Sequence, residues 1–261
     1  MPGRVQDRVI VVTGGARGIG AGIARGLAAE GGRLVVADLD LEQAEATAAA
    51  ITDDGGTAIA LSVDVAERDQ VRDMIARTVD ACGRLDVIFN NAGISRPEAF
   101  MDITEDSWNR IMRVNGLGVL IAMQEAVRQF IAQGGGGKIV NTASIAARQG
   151  FPDFAHYCAS KAGVVSLLQA GARSFAEHGI TCNGFAPGVV ATPLWEDLDK
   201  VLAERDNKAE GQAMAEFSEG ILIGRPATPE DIVPTALFLA SADSDYMTGQ
   251  VMMIDGGMVL V

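Results

Sequence analysis

At 261 residues, with 48% hydrophobic and 21% charged residues, the chain has a globular composition and the length to bury a sizeable core, which excludes a disordered chain and a disulfide-stapled scaffold. Its 21 Lys and Arg stand against 34 Asp and Glu, a formal net charge of −13. That balance repels phosphate backbones and anionic bilayers, so neither nucleic acid nor membrane is an expected partner.

The first residues, MPGRVQDRVIVVTGG, hold an apolar run too short for a signal peptide and no small-residue cleavage site, so no leader is expected. No stretch of 18 apolar residues occurs that would span a bilayer. Seven short β-branched runs follow one another: 8–13, 33–38, 57–64, 85–90, 138–144, 180–186 and 250–255. They are apolar throughout rather than alternating, which predicts strands buried on both faces of a parallel sheet. Between them the period is helical: Ile19, Ile23 and Leu27 share one face, as do Val71, Met74, Ile75, Thr78 and Val79. Strand–helix alternation builds right-handed βαβ units. The predicted fold is therefore α/β: a Rossmann-type doubly wound parallel sheet of seven strands in a single domain over 1–261.

Residues 134–137, all glycine, read as a loop before the fifth run. Residues 193–220 break the pattern. This charged, helix-prone segment is expected to form an insertion over the carboxyl edge of the sheet, where open α/β folds bind ligands. Cys82, Cys158 and Cys182 have no paired spacing and read as free thiols of a cytoplasmic protein. They form no ligand set with His156 or His178, so no metal is expected. His178, beside Gly179, reads as a helix-end residue.

The first run ends in Thr13-Gly14-Gly15-Ala16-Arg17-Gly18-Ile19-Gly20 and enters a helix. Glycines at 14, 18 and 20 let backbone N–H groups approach a pyrophosphate, and a helix N-terminus adds partial positive charge. The spacing is not that of the long-chain dehydrogenase fingerprint, and no Lys-Ser/Thr follows to make a Walker loop. Asp38 ends the second run, where a carboxylate accepts both hydroxyls of an adenosine ribose and repels a 2′-phosphate; the alternative is a helix N-cap. Leu39 offers no compensating charge, so NAD is expected over NADP, with Arg17 as the one cation near enough to a phosphate to argue otherwise. Asp64 and Val65, then Asn90, Asn91, Ala92 and Gly93, continue the series of strand ends along the cofactor.

Tyr157 and Lys161 lie one helical turn apart, so both side chains share a face. An ammonium beside a phenol is expected to stabilise phenolate and lower its pKa toward the working range of a general base. Ser144 ends the fifth run thirteen residues earlier.

With these residues in this order, the chain resembles the short-chain dehydrogenase/reductase family along its whole length. The resemblance rests on Thr13–Gly20, Asp64, Asn90–Gly93, Asn115, Ser144, Tyr157, Lys161 and Pro187–Gly188. It implies a nicotinamide cofactor and a homotetramer. It implies Tyr157 as acid/base, Lys161 on the nicotinamide ribose, Ser144 on the reacting oxygen, and Asn115 supporting a water chain. Pro187, Gly188, Val190 and Thr192 match the loop that orients the nicotinamide amide. The 193–220 insertion resembles the substrate lids of members acting on sorbitol, galactitol and meso-butanediol, through Trp195, Asp199 and Asn207. That makes Trp195 a candidate substrate contact beside Ser144 and Tyr157, the alternative being a residue that packs the lid on the sheet. His156 either lines the site or faces a neighbouring subunit. The apolar tail 255–261 is expected at a subunit interface.

The expected activity is hydride transfer between NAD and a secondary alcohol or ketone, the substrate being a sugar alcohol or small vicinal diol. One alternative is a 3-oxoacyl-thioester reductase serving an acyl carrier protein; Asp38 and the negative charge argue against it. The other is an inactive nucleotide-sensing scaffold; the intact Ser144, Tyr157 and Lys161 set argues against that.

Overall fold

Apolar runs with helices before and after them bury both faces only as the middle of three layers, and there the seven runs lie, fully buried in the centre of the sheet but only partly so at its two edges, 57–62 and 251–254. A computed structural model of the chain, describing residues 2–260, forms them into β1 (Val9–Thr13), β2 (Arg33–Asp38), β3 (Thr57–Ser62), β4 (Val87–Asn90), β5 (Gly137–Thr142), β6 (Ile180–Pro187) and β7 (Val251–Ile254). Every pairing is parallel, in the order β3-β2-β1-β4-β5-β6-β7. The helices are α1 (Gly18–Ala29), α2 (Leu41–Asp53), α3 (Arg68–Cys82), α4 (Glu105–Met112), α5 (Val119–Gln133), α6 (Ala155–Phe175), α7 (Pro193–Asp206), α8 (Gln212–Ser218) and α9 (Pro229–Ala240). Met1 and Val261, the ends of the leader and tail readings, lie outside the described residues.

Two cores result, one on each face. Ile10, Val12, Val36 and Phe89 pack with Ile23, Leu27, Ile51 and Ile232 of α1, α2 and α9. Val11, Val35, Ile88 and Ile139 pack with Val71, Met74, Ile121, Phe130 and Val164 of α3, α5 and α6. Successive residues of β1 thus feed opposite cores, which is why the strand sequences show no polar alternation. The helical faces foreseen in α1 and α3 are the packed ones, with Ile19 and Val79 half-buried at their rims.

The strand order reverses between β1 and β4, and a cleft opens at the carboxyl edge there. At that edge the strands end earlier than their sequence suggests. β3 stops at Ser62 and β5 at Thr142. Asp64 turns back to accept from Ala66 N–H at 2.9 Å, and Ser144 accepts from Ala146 N–H at 3.1 Å to open a 3-10 turn. Glycines 134–136 form the loop, while Gly137 begins β5. The 193–220 segment folds as α7 and α8.

α1 crosses α9 through Gly22, where an added Cβ would stand 2.7 Å from Pro229 Cβ. Gly22→Val should therefore destabilise the fold by about 1–3 kcal/mol through overpacking, read as a lowered urea midpoint at unchanged m-value.

Candidate active site

The β1–α1 turn is built for close backbone approach. Gly14 has φ +62°, and a Cβ on it would stand 2.8 Å from Ala92 Cα. α1 then starts with no side-chain cap and no acidic residue in its first turn, which leaves its leading N–H groups for an anion. Asn91 braces this turn: its Nδ2 donates to the Thr13 and Gly14 carbonyls, both at 3.1 Å.

At the far end of the cleft, Asp38 accepts from Ala16 N–H and Asp40 N–H, each at 3.1 Å. The cap of α2 is Asp40, which accepts from Gln43 N–H, so the N-cap alternative for Asp38 does not hold. Asp38 lines the cleft beside an exposed Leu39. Asp64 and Val65 line the same wall. Of the residues assigned to the cofactor from sequence, Asn90 is buried and donates to Asn141 Oδ1 at 2.8 Å, while the others line this one cleft, from Gly14, Arg17, Gly18, Ile19 and Gly20 through Ala92 and Gly93 to Pro187, Gly188, Val190 and Thr192. The cleft has a volume of about 510 Å³.

Tyr157 and Lys161 share a face of α6, as their spacing requires. Lys161 is buried; its Nζ donates to the Thr142 carbonyl at 2.8 Å and lies 5.7 Å from the Tyr157 ring centroid. The expected acidification of the phenol is not what the protein alone produces. Burial pushes Tyr157 up to about 12, against a hydrogen bond with Ser144, and the neighbouring Cys158 adds to the rise. Burial likewise pushes Lys161 down to about 8. Loss of water around the phenolate outweighs an ammonium whose nearest partner is a carbonyl.

Asn115 is buried in a π-helical turn, residues 113–118, between α4 and α5. Its Oδ1 accepts from Ile94 N–H at 2.9 Å, and its Nδ2 donates to Ile94 O at 2.9 Å and Ser160 Oγ at 3.1 Å. The side chain is thus occupied in holding the β4 loop on α6. A Cβ on Gly93 would stand 3.3 Å from Asn115 Oδ1 and 3.6 Å from Lys161 Nζ, so these three residues converge.

Ser144 and Tyr157 also open onto a second, mostly apolar chamber roofed by α7 and α8. Its walls include Phe151, Phe154, Val189, Leu194, Trp195 and Phe217. Trp195 meets Phe217 edge-on, with centroids 5.4 Å apart at 62°, so it both packs the insertion and faces the chamber. Asp199 and Asn207 do not share that position. Asp199 is buried and accepts from Gly211 N–H at 2.5 Å and Met214 N–H at 2.8 Å, tying α7 to α8. Asn207, at φ +51°, ends α7 in the left-handed conformation. Both are architectural, and the polar pattern seen in the sequence is a helix junction.

Residues 14–259 match the family model described as Enoyl-(Acyl carrier protein) reductase. L-2,3-butanediol dehydrogenase of Corynebacterium glutamicum is 42% identical over 97% of this chain and 99% of that protein. Galactitol 2-dehydrogenase of Agrobacterium fabrum is 40% identical over 97% of this chain and 98% of that protein. A crystal structure of a relative from Beutenbergia cavernae, with NADP bound at low occupancy, superposes with a TM-score of 0.88 at 34% identity, covering 99% of each chain. The chain belongs to the short-chain dehydrogenase/reductase family.

As a member of that family the protein is an oxidoreductase of CH–OH groups that uses NAD(P). Three residues of this dehydrogenase site carried no role in the sequence reading. Thr13 Oγ1 donates to Phe89 O at 3.1 Å and accepts from Asn91 N–H at 3.1 Å, joining the ends of β1 and β4. Thr142 gives Lys161 its carbonyl partner, and Ser160 donates to Tyr157 O at 2.7 Å. Only strand-end position marks the threonines in sequence, and a backbone carbonyl leaves no trace there at all.

Burial disfavours the charged form of either group, so the phenol holds its proton far above neutrality while the lysine releases its own early. In Tyr246→Phe, which leaves Tyr157 as the remaining one of 2 tyrosines, phenolate absorbance in the cofactor-free protein should develop only around pH 12. Titration near the free-phenol value of about 10, with the fold intact by circular dichroism, would show that the ring is solvated instead.

Proposed function

We propose that this dehydrogenase transfers hydride between NAD and the secondary alcohol of a polyol or small vicinal diol, with Ser144, Tyr157 and Lys161 as its catalytic set and Asn115 as their support. One observation carries the reading: Ser144 and Tyr157 line both the long cleft and the chamber, so a reacting carbon held between them faces both. The cleft suits a dinucleotide in three respects: an uncapped helix start behind glycines, a carboxylate at Asp38 in its wall, and Lys161 beside Tyr157 at the inner end. When bound, the nicotinamide ring accepts or returns hydride.

The chain's own residues then supply position and proton transfer. Ser144 Oγ holds the reacting oxygen, and Tyr157 Oη takes its proton in oxidation and returns it in reduction. Lys161 Nζ, held by Thr142 O, binds the nicotinamide ribose and favours the phenolate once the site is filled. Gly93 leaves room beside Lys161 and Asn115, where water carries the proton outward. Pro187, Gly188, Val190 and Thr192 hold the nicotinamide amide, and Trp195 closes over the substrate.

Asp38 supports NAD over NADP, because a carboxylate lining the cleft at the end of β2 would repel a ribose 2′-phosphate. A net charge of −13 suits a small neutral substrate better than an acidic carrier protein. The protein works in the cytoplasm, in keeping with its free cysteines, and as a homotetramer. Exposed Leu222, Ile223 and Leu260 beside the curled tail supply apolar surface for such an assembly, and a stable monomer in sedimentation would count against it.

Tyr157→Phe should lower turnover by roughly 10²–10⁴-fold while NADH still binds, read by NADH formation and by NADH fluorescence. Near-normal turnover in that variant would remove the acid/base assignment. Asp38→Ser should shift the NAD/NADP ratio of kcat/KM toward NADP by about tenfold or more, and an unchanged ratio would discredit Asp38 as the discriminator.

A further inference from the structure

A second cavity lies beside the apolar chamber, separated from it by Ser95, Leu194 and Leu198, which line both. Its inner wall carries Glu98, from the loop after β4, and His156, the residue before Tyr157 in α6. His156 is fully buried, yet neither Nδ1 nor Nε2 has a hydrogen-bond partner. Ser95 Oγ and Glu98 Oε2 are buried without partners as well. Among the described residues the only other such side-chain atom is Asn90 Oδ1. Unsatisfied buried polar atoms are costly and rare in folded proteins, so four of them in three residues that line one cavity mark a place where hydrogen bonds are completed from outside the chain.

The chemistry of the set narrows what completes them. Burial lowers the His156 pKa, although Glu98 pulls it the other way, so the imidazole is neutral and offers one N–H donor and one acceptor nitrogen. Ser95 donates and accepts, and Glu98 accepts. The lining carries Glu98, Asp106 and Asp197 against Arg96 and Arg110, with Arg96 already 3.9 Å from Glu98, so it offers a carboxylate or phosphate ligand no net positive charge. Hydroxyl groups, each able to donate and accept, match all four atoms without bringing charge into the cavity. The Trp195 chamber is mainly apolar, and of its hydroxyl-bearing residues Ser144 and Tyr157 are taken up by the reacting oxygen, which leaves Ser95 at the boundary with the second cavity.

We infer that Ser95, Glu98 and His156 form a subsite for the hydroxyls of a polyol remote from the reacting carbon. The inference rests on the secondary-alcohol reading above and deepens it. Ser144 and Tyr157 hold the reacting oxygen, the aromatic chamber takes the short end of the substrate, and the hydroxylated tail passes Ser95 into the second cavity. Substrate choice between a hexitol and a short diol is then made at His156, outside the residues that carry the chemistry.

The test compares galactitol and sorbitol with 2,3-butanediol, using NAD and the whole protein. His156→Leu should lower the hexitol-to-butanediol ratio of kcat/KM by about tenfold or more, mainly through hexitol KM. His156→Gln, which keeps a donor and an acceptor, should recover part of that ratio. Ser95→Ala and Glu98→Gln should lower it in the same direction, so the outcome does not hang on one buried position. Calorimetric binding of galactitol to the NADH complex should weaken in parallel, without reference to turnover. An unchanged ratio in all three positions overturns the inference, as does an equal fall on hexitol and diol, which would make His156 a support for Tyr157. If the unaltered protein oxidises butanediol but neither binds nor oxidises a hexitol, the subsite fails and the secondary-alcohol reading stands. If it oxidises none of the panel, that reading fails first.

Discussion

The bond from Lys161 Nζ to the Thr142 carbonyl ties the catalytic face of α6 to the carboxyl end of β5. It sets where Tyr157 stands relative to Ser144, because Ser144 follows Thr142 by two residues in the chain. It also directs the ammonium toward a dipole rather than toward the phenol. The site at rest therefore holds its proton on Tyr157, and any positive charge that arrives with a cofactor acts on a phenol already in place. The rest of the centre serves that geometry: Asn115 and Ser160 hold the start of α6, while Thr13 and Asn91 hold the glycine turn against β4.

Much of this was readable from sequence because the signals are local. Seven apolar runs gave seven strands, since burial on both faces leaves its mark on every residue of a central strand such as β1. The four-residue spacing of Tyr157 and Lys161 dictates a shared face whatever surrounds the helix. Strand ends were less legible. Asp64 and Ser144 sit beyond their strands because their side chains bond backbone two residues ahead, which competes with ladder formation.

What depends on three-dimensional surroundings was hidden. The direction of the Tyr157 shift follows from how much water the fold removes, and no spacing encodes that. Asp199 entered the sequence analysis only as part of a lid-like pattern, because polar residues in a helical insertion carry no label for inward or outward; its partners Gly211 and Met214 appear only once the chain doubles back. His156 was readable as a neighbour of Tyr157 but not as an imidazole lacking both partners.

The Asp199 junction has a mechanical consequence. Because one carboxylate grips two backbone amides of the following segment, α7 and α8 resist sliding over each other, and Phe217 and Trp195 are coupled to the same stiff leaf. Any displacement of α7 would therefore carry α8 with it. The aromatic wall made by Trp195 and Phe217 accordingly behaves as one rigid surface.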